Sequence, residues 1–215
     1  MNADNKEIYE KYEQALRNLN DRAWPNLLPN EKIEVLQAIE NKIALDNNRI
    51  PAEVVAAQCE PGSVAMQVDN TILIDETELS KPDFMHNVES LYHEASHITD
   101  FQASIFSELR QQIGVDEFEL RNTPIPDYMT DFEGYYNHPA ENAARQAGEV
   151  GVQRTIADQL QIAAVDQTMH CSGNQVLVTY DYLALDYDNG VNPESVSQCD
   201  VSISECVEMS GPDYD

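Results

Sequence analysis

The feature that most constrains the fold is a long amphipathic segment near the middle of the chain. From about residue 82 to residue 112, apolar residues recur every three or four positions, which predicts one long helix with a buried stripe. Ser80 followed by Pro82 is typical of a helix start. The stripe consists of Phe84, Val88, Leu91, Tyr92, Ala95 and Ile98. Two histidines, His93 and His97, lie on the side of this helix that faces away from the stripe.

The sequence His93-Glu94-Ala95-Ser96-His97 has the spacing of a metal site. Residues four apart lie one above the other on a helix, so both imidazoles can reach one cation. Glu94 is turned by about 100° around the helix axis, so it can miss the metal and still reach a water bound there. Zinc lowers the pKa of such a water to about 7, and a glutamate can take its proton. We therefore predict zinc as the cofactor, His93 and His97 as ligands and Glu94 as the general base.

A catalytic zinc site needs a third protein ligand, for which Glu141 is the prediction. Pro139 opens a second, alanine-rich helix that is predicted to run to about residue 165, and Glu141 lies in its first turn. The 44 residues between His97 and Glu141 allow the second helix to return alongside the first. Three histidines remain alternatives: His138 above all, and more weakly His86 and His170.

Other polar residues near the motif suggest supporting roles. Asp100 shares the helix face of the two histidines and is predicted to accept a hydrogen bond from an imidazole N–H. Arg145 lies one turn beyond Glu141 and is predicted to orient it through an ion pair. The oxyanion that forms when water attacks a carbonyl needs a hydrogen-bond donor. Tyr136 is the prediction for this catalytic donor, with its neighbour Tyr135 as the alternative.

The rest of the sequence predicts a mixed α+β fold with a helical N-terminus. Residues 1–20 and 31–47 have helical periodicity, and Asn30 is the predicted cap of the second helix. Short β-prone runs predict a small sheet before the histidine-bearing helix; they are Val54-Val55, Ser63 to Val68 and Thr71 to Asp75.

Two segments carry less regular signals. Residues 113–138 contain Pro124, Pro126 and Gly134 and are predicted to be irregular. We divide the chain into a domain at residues 1–168 and an acidic C-terminal segment at residues 169–215. That segment has one β-like run, Val176 to Leu185, and Cys199 and Cys206 could form a local disulfide in an oxidising compartment.

The charge of the chain limits its partners. Thirty-nine acidic and 12 basic side chains give a net charge of -27, a field that repels phosphate groups. Neither nucleic acid nor an anionic membrane is therefore an expected partner. Eleven acids follow Arg154 without a base. Three interpretations of this acidity stay open: a solvated acidic surface, a tail that docks a basic protein partner, and attraction for cationic substrates.

The N-terminal residues are polar and contain no apolar run with a cleavage site, so a classical signal peptide is not predicted. The expected location is the cytoplasm, or outside the cell by a route that needs no such peptide, or a form already trimmed.

The HExxH helix followed by a glutamate on the next helix resembles the gluzincin branch of the zincin metallopeptidases. The resemblance implies a zincin-like fold, with His93, His97 and Glu141 as zinc ligands and Glu94 as the catalytic base. It also implies a peptide substrate aligned along the edge of the small sheet formed by residues 63–75. The metzincin branch is disfavoured because HExxH is not continued to a third histidine in the form HExxHxxGxxH.

The local text LYHEASH followed by YYNHPAENAAR also looks like the small metallopeptidase domains of bacterial polymorphic toxins and secreted effectors. This resemblance covers roughly residues 50–155 and implies an effector or toxin that cuts a protein or peptide. The competing hypothesis is an acidic binding or immunity-like protein, in which the metal site is structural or a relic. A deformylase is disfavoured because no cysteine lies in the context that such a site needs.

Overall fold

The computed structural model describes the backbone of residues 3–60 and 62–171 and the side chains of residues 5–60 and 62–164. The described chain is mixed α+β, mostly helical with a small three-stranded sheet, which confirms the predicted class. Most of the segment 169–215 lies outside the described residues, together with the predicted strand Val176 to Leu185 and the predicted Cys199–Cys206 bridge. The elements in chain order are α1 (Ala3–Asn18), α2 (Pro29–Asp46), β1 (Glu53–Ala57), β2 (Ala65–Val68), β3 (Thr71–Asp75), α3 (Glu76–Leu79), α4 (Phe84–Ile105), α5 (Ser107–Ile113), α6 (Val115–Arg121), α7 (Phe132–Tyr136) and α8 (Pro139–Cys171).

The N-terminal helices form as predicted, although the start of α2 differs in detail. The helix begins at Pro29 rather than after Asn30, because proline fits the first helical turn and lacks the N–H that would go unpaired there. The carboxylate of Glu31 accepts the backbone N–H of Leu28 at 2.6 Å, so Glu31 rather than Asn30 supplies the side-chain cap.

The sheet has the strand order β1-β3-β2. Strand β1 runs parallel to β3, and β2 runs antiparallel to it, so β2 is an edge strand. Asp69 adopts a positive φ of 50° in the tight turn between β2 and β3, a conformation that aspartate tolerates. Ile72 and Ile74 of β3 are fully buried and place the sheet against the core.

A buried polar network joins the segment just before β1 to α2 on one side and to α4 on the other. Glu40 of α2 pairs with Arg49 through two hydrogen bonds of 2.6 and 2.7 Å, and neither side chain is exposed. The same carboxylate accepts the backbone N–H of Ala52 at 2.8 Å. From the other side, Gln102 of α4 exchanges hydrogen bonds of 2.7 and 3.0 Å with the backbone of Ile50. Because buried polar groups are costly unless paired, this network fixes α4 relative to the sheet.

The core lies between the sheet, the N-terminal helices and α4, and α8 covers the other flank of α4. Val88, Leu91, Ala95 and Ile98 of α4 are buried in it, as the predicted stripe requires. Trp24 is also completely buried. No helix among the described residues combines the length and apolar character of a membrane span.

The single helix predicted for residues 82–112 is interrupted near its end, because α4 stops at Ile105 and α5 begins at Ser107. Phe106 leaves the helical conformation with φ -108° and ψ 115°, and α5 continues in a new direction. Arg110 satisfies the carbonyls freed at this break by donating to Ala103 and Ser104 at 3.3 and 3.2 Å. The break lets Leu109 pack beside Ala103 in a small second cluster.

Residues 113–138 are also more regular than predicted. They contain α6 and α7, which are separated by the loop that carries the two prolines. Gly114, with φ 97°, makes the turn between α5 and α6, a conformation that favours glycine. At the other end of the domain, α8 runs to Cys171, beyond the predicted end near residue 165.

Candidate metal centre

The two histidines of the HExxH segment point their Nε2 atoms at each other from successive turns of α4. These atoms are 3.2 Å apart, and the ring planes are inclined by 74°. Both side chains are partly buried, with exposed fractions of 22% for His93 and 15% for His97. The opposite face of the helix is anchored in the core through Leu91, Ala95 and Ile98, so the rings are held towards the second helix.

Glu141 completes a group of three with the histidines. It lies in the first turn of α8, as predicted, and its side chain is only 5% exposed. Oε2 is 3.5 Å from Nε2 of His93, and Oε1 is 3.4 Å from Nε2 of His97. In the part of the chain that the structure describes, no other group of His, Cys, Asp and Glu atoms converges in this way.

These separations suit a tetrahedral ion. Zinc–nitrogen and zinc–oxygen bonds of about 2.0–2.1 Å at tetrahedral angles place neighbouring ligand atoms about 3.3–3.4 Å apart. The three observed separations of 3.2, 3.4 and 3.5 Å bracket that value. Two imidazole nitrogens and one carboxylate oxygen also form a typical donor set for zinc with one open coordination position. The residues therefore fit the predicted metal.

The electrostatics of the trio formed by His93, His97 and Glu141 favour the protonation states that bind a cation. Burial lowers the pKa of His97 to about 4, despite the opposing charge of Glu141. Burial would raise the pKa of Glu141, but the two neighbouring histidines and the hydroxyl of Tyr135 outweigh it and hold that pKa below its ordinary value. A neutral imidazole and an ionised carboxylate are the forms that bind metals.

Glu94 lies beside the trio without belonging to it. Its side chain is buried, and burial raises its pKa to about 7. The charge of His93 and the nearby backbone N–H of Gln67 on β2 lower that pKa, and the charge of Glu141 raises it. A carboxylate that titrates near neutrality suits a general base that must take and return a proton at physiological pH.

The structure brings Tyr135, and not Tyr136, to the trio. The hydroxyl of Tyr135 lies beside the carboxylate of Glu141, and burial together with that carboxylate's charge raises the pKa of the phenol. The ring of Tyr136 instead lies under the guanidinium of Arg145, whose central carbon is 3.9 Å from the ring centroid, and 48% of the residue is exposed. Tyr135, the alternative in the sequence, thus has the position predicted for Tyr136.

His138, the main alternative to Glu141, has both ring nitrogens engaged away from the trio. Nδ1 accepts the backbone N–H of Ala140 at 3.2 Å, which assigns the ring proton to Nε2. Nε2 then donates to Oγ1 of Thr123 at 2.9 Å, and that hydroxyl donates to the carbonyl of Leu120. His138 therefore fixes the start of α8 to the end of α6, which in turn sets the position of Glu141.

The residues predicted to support the trio contact other residues instead of its members. Asp100 faces Arg121 of α6 at 3.6 Å, an ion pair too long for a hydrogen bond, rather than a histidine. Arg145 donates to the carbonyl of Tyr136 and to Asn142 instead of pairing with Glu141. The imidazole of His86 lies 3.9 Å from Glu78. The side chain of the last alternative ligand, His170, lies outside the described residues.

A groove of about 520 Å³ opens onto the site. It is lined by the loop that leads into β2, by His93 and Glu94 of α4, and by Tyr128 and Tyr135. The ring of Tyr128 packs edge-on against Tyr135, with centroids 5.4 Å apart. A larger cavity of about 620 Å³ is lined by α1, α2 and β1 and contains none of the three ligand residues.

Three contributors to the site were not singled out in the sequence. Thr123 and Gln67 are too far along the chain from their partners for any local pattern to reveal them. Gly151 of α8 had a signal, because with Gly148 it forms a pair of small residues on one helix face. A Cβ at Gly151 would lie 2.1 Å from the ring of Tyr92, so this glycine permits the close approach of α8 to α4.

Comparisons with known proteins found no protein-family model, no curated protein and no solved structure that matches the chain.

Proposed function

We propose that this protein is a zinc-dependent peptidase of the zincin type, with His93, His97 and Glu141 as the ligands. The observation that carries the proposal is the convergence of these three side chains at separations of 3.2 to 3.5 Å. The groove of about 520 Å³ that opens onto them begins at the loop leading into the edge strand β2, where an extended chain could add to the sheet. The secreted-effector or toxin role implied by the resemblance stays a prediction.

Bound zinc would supply a Lewis acid that polarises the substrate carbonyl and lowers the pKa of water to about 7. Glu94, buried and with a pKa of about 7, accepts the proton of the attacking water and returns it to the leaving amine. The Tyr135 hydroxyl is the donor placed to stabilise negative charge that develops on the carbonyl oxygen, in place of the predicted Tyr136. Its edge-on packing against Tyr128, with ring centroids 5.4 Å apart, holds it at the site before substrate binds.

The neighbouring elements keep these groups in position. The anchored face of α4 fixes the histidines, and the tether from His138 to Thr123 fixes the first turn of α8. The N-terminus of α8 also favours an ionised Glu141, because the helix dipole places partial positive charge there. Partial burial of the trio strengthens each electrostatic contact between its members.

The experiment is metal analysis by mass spectrometry of the full chain, comparing wild type with His97→Ala, Glu141→Ala and Glu94→Gln. We expect about one zinc per chain in wild type and Glu94→Gln and a loss of zinc in the two ligand variants. Glu94→Gln is the matched control, because it should keep the metal and lose hydrolysis of a casein or peptide-library substrate.

Each other outcome has a distinct meaning. Zinc that survives in Glu141→Ala would exclude this glutamate as the third ligand. Full hydrolysis by Glu94→Gln would contradict the proposed mechanism. A wild type that takes up no zinc on reconstitution would refute the peptidase and favour the acidic binding protein.

A further inference from the structure

The walls of the groove beside the candidate metal centre differ in chemistry, and this difference bears on what binds there. The wall formed by α4 and the loop before β2 carries the carboxylates of Glu60 and Glu89, both exposed. The opposite wall carries Tyr128 and Met129, which are 56% and 84% exposed. Exposed apolar residues gathered beside a cleft commonly mark a binding surface.

The two carboxylates are free to bind a ligand. Among the residues that the structure describes, neither Glu60 nor Glu89 forms an ion pair. The nearby bases are engaged elsewhere, since Lys81 pairs with Glu78 at 2.6 Å and Arg145 contacts Tyr136. The third acid at the rim, Asp127, differs because its carboxylate accepts the N–H groups of the following turn and is part of the loop itself.

The position of Glu89 relates this acidic wall to the metal centre. Glu89 lies four residues before His93, which is one helical turn or about 6 Å along α4. Its aliphatic stem rests over Gly148 of α8, since a Cβ at that glycine would lie 3.2 Å from Cγ of Glu89. Consecutive residues of an extended peptide are about 3.3 Å apart, so 6 Å corresponds to about two residues of bound chain.

The apolar wall is continuous with the candidate catalytic groups. Tyr128 packs against Phe132 and Tyr135 with centroid separations of 5.3 and 5.4 Å, and the hydroxyl of Tyr135 lies beside the carboxylate of Glu141. Met129 stands beside this cluster, and its backbone is held by the turn at Asp127 while its side chain faces solvent. An apolar side chain of the ligand could cover Tyr128 and Met129 without disturbing the fold.

We propose that the groove binds an extended peptide segment in which a lysine or arginine stands beside a large apolar residue. The basic side chain pairs with Glu60 and Glu89, and the apolar side chain covers Tyr128 and Met129. The inference rests on the proposed function for its assignment of the ligand as substrate. The net charge of -27 adds a long-range attraction for such a segment.

The test measures binding apart from catalysis. The full chain carrying Glu94→Gln is titrated into short glycine- and serine-rich peptides that carry a neutral fluorophore and a central Lys-Phe, Glu-Phe or Lys-Ser pair. We expect Lys-Phe to bind about 5- to 10-fold more tightly than Glu-Phe at low salt, the range for one or two exposed ion pairs. The difference should shrink at high salt, because exposed charges are screened.

Two sets of variants test separately the preference for a basic side chain and the preference for an apolar one. Glu60→Gln/Glu89→Gln should remove most of the discrimination between Lys-Phe and Glu-Phe, and Glu13→Gln, an exposed acid on α1, is the matched control that should keep it. Met129→Gln should reduce the advantage of Lys-Phe over Lys-Ser and leave the charge discrimination intact. Equal affinities for Lys-Phe and Glu-Phe, or discrimination that survives the double substitution, would overturn the inference.

The zinc-loaded wild type then separates this inference from the proposed function. Tight binding of Lys-Phe without hydrolysis would refute the peptidase and leave the binding preference standing. Hydrolysis of all three peptides at equal kcat/KM would overturn the preference and leave the peptidase standing.

Discussion

The close approach of α4 and α8 leads to the sharpest structural prediction, which concerns Gly151→Ala. The added methyl carbon would lie 2.1 Å from Cγ of Tyr92, where ordinary contact begins at 3.4 Å, so ring and helix must separate by about 1.3 Å. Overpacking of this kind costs about 1–3 kcal/mol. Since the ring of Tyr92 is rigid and packs, partly buried, against the core, we take the upper end of that range.

An opposing effect reduces this cost. Alanine is better than glycine inside a helix by about 1 kcal/mol, so the net loss in the free energy of unfolding is about 2 kcal/mol. With a urea m-value of about 2 kcal/mol/M, the unfolding midpoint should fall by about 1 M. The same separation of α4 from α8 moves Glu141 away from the histidines, whose ligand distances tolerate only about 0.2 Å. We therefore expect zinc affinity to fall by at least about tenfold.

The assays are urea unfolding followed by circular dichroism and zinc titration against a chromophoric chelator. The double variant Tyr92→Ala/Gly151→Ala is the control, because removing the ring should remove the clash and make the two substitutions strongly non-additive. If Gly151→Ala kept both the wild-type midpoint and the wild-type zinc affinity, the argument that this contact sets the position of Glu141 would be refuted.

Three further predictions follow from single side chains. Burial raises the pKa of Asp100 from 3.8 to about 6. The contribution of Asp100 to the free energy of unfolding is therefore greatest below pH 3.8 and falls by up to about 3 kcal/mol as the pH rises through 6. Asp100→Asn should raise the urea midpoint of unfolding at pH 8 and leave that midpoint unchanged or lower at pH 4. Tyr135→Phe should lower kcat on a peptide substrate by about 10²-fold or more at unchanged zinc content, whereas Tyr136→Phe should leave kcat near the wild-type value; the reverse order would restore Tyr136 as the donor. His138→Ala should lower the free energy of unfolding by about 1 kcal/mol and weaken zinc binding, while the exposed His86→Ala should change neither, as zinc titration of both variants would show.

The parts of the fold that the sequence predicted depend on local periodicity. The buried stripe of α4, the strands around Asp69 and the start of α8 at Pro139 each follow from residues within a few positions of one another. The end of α4 at Ile105 does not, because the break is stabilised by Arg110 and by packing of Leu109. Helical propensity continues through this point in the sequence, and tertiary contacts override it.

The candidate site also combines residues whose positions follow from local sequence with residues whose positions depend on tertiary packing. His93 and His97 are positioned by the helix that contains them, so their spacing alone predicts that their Nε2 atoms converge. The place of Glu141 at a helix start predicts it as a ligand, but its distance from the histidines depends on how closely two helices pack. That distance is a property of Gly148 and Gly151, which the metal motif does not include.

The different orientations of the adjacent Tyr135 and Tyr136 depend on contacts that the sequence alone does not reveal. Tyr135 and Tyr136 occupy successive positions of α7, a helix of only five residues, so they point about 100° apart and only one can face α4. Arg145 determines which tyrosine faces inward, because it contacts both the carbonyl and the ring of Tyr136 on the side of α7 away from the metal ligands. Tyr135 is thereby turned inward to Glu141. Arg145 therefore acts on the site through the orientation of α7, so Arg145→Ala should mimic part of the effect of Tyr135→Phe on kcat while the three metal ligands stay intact.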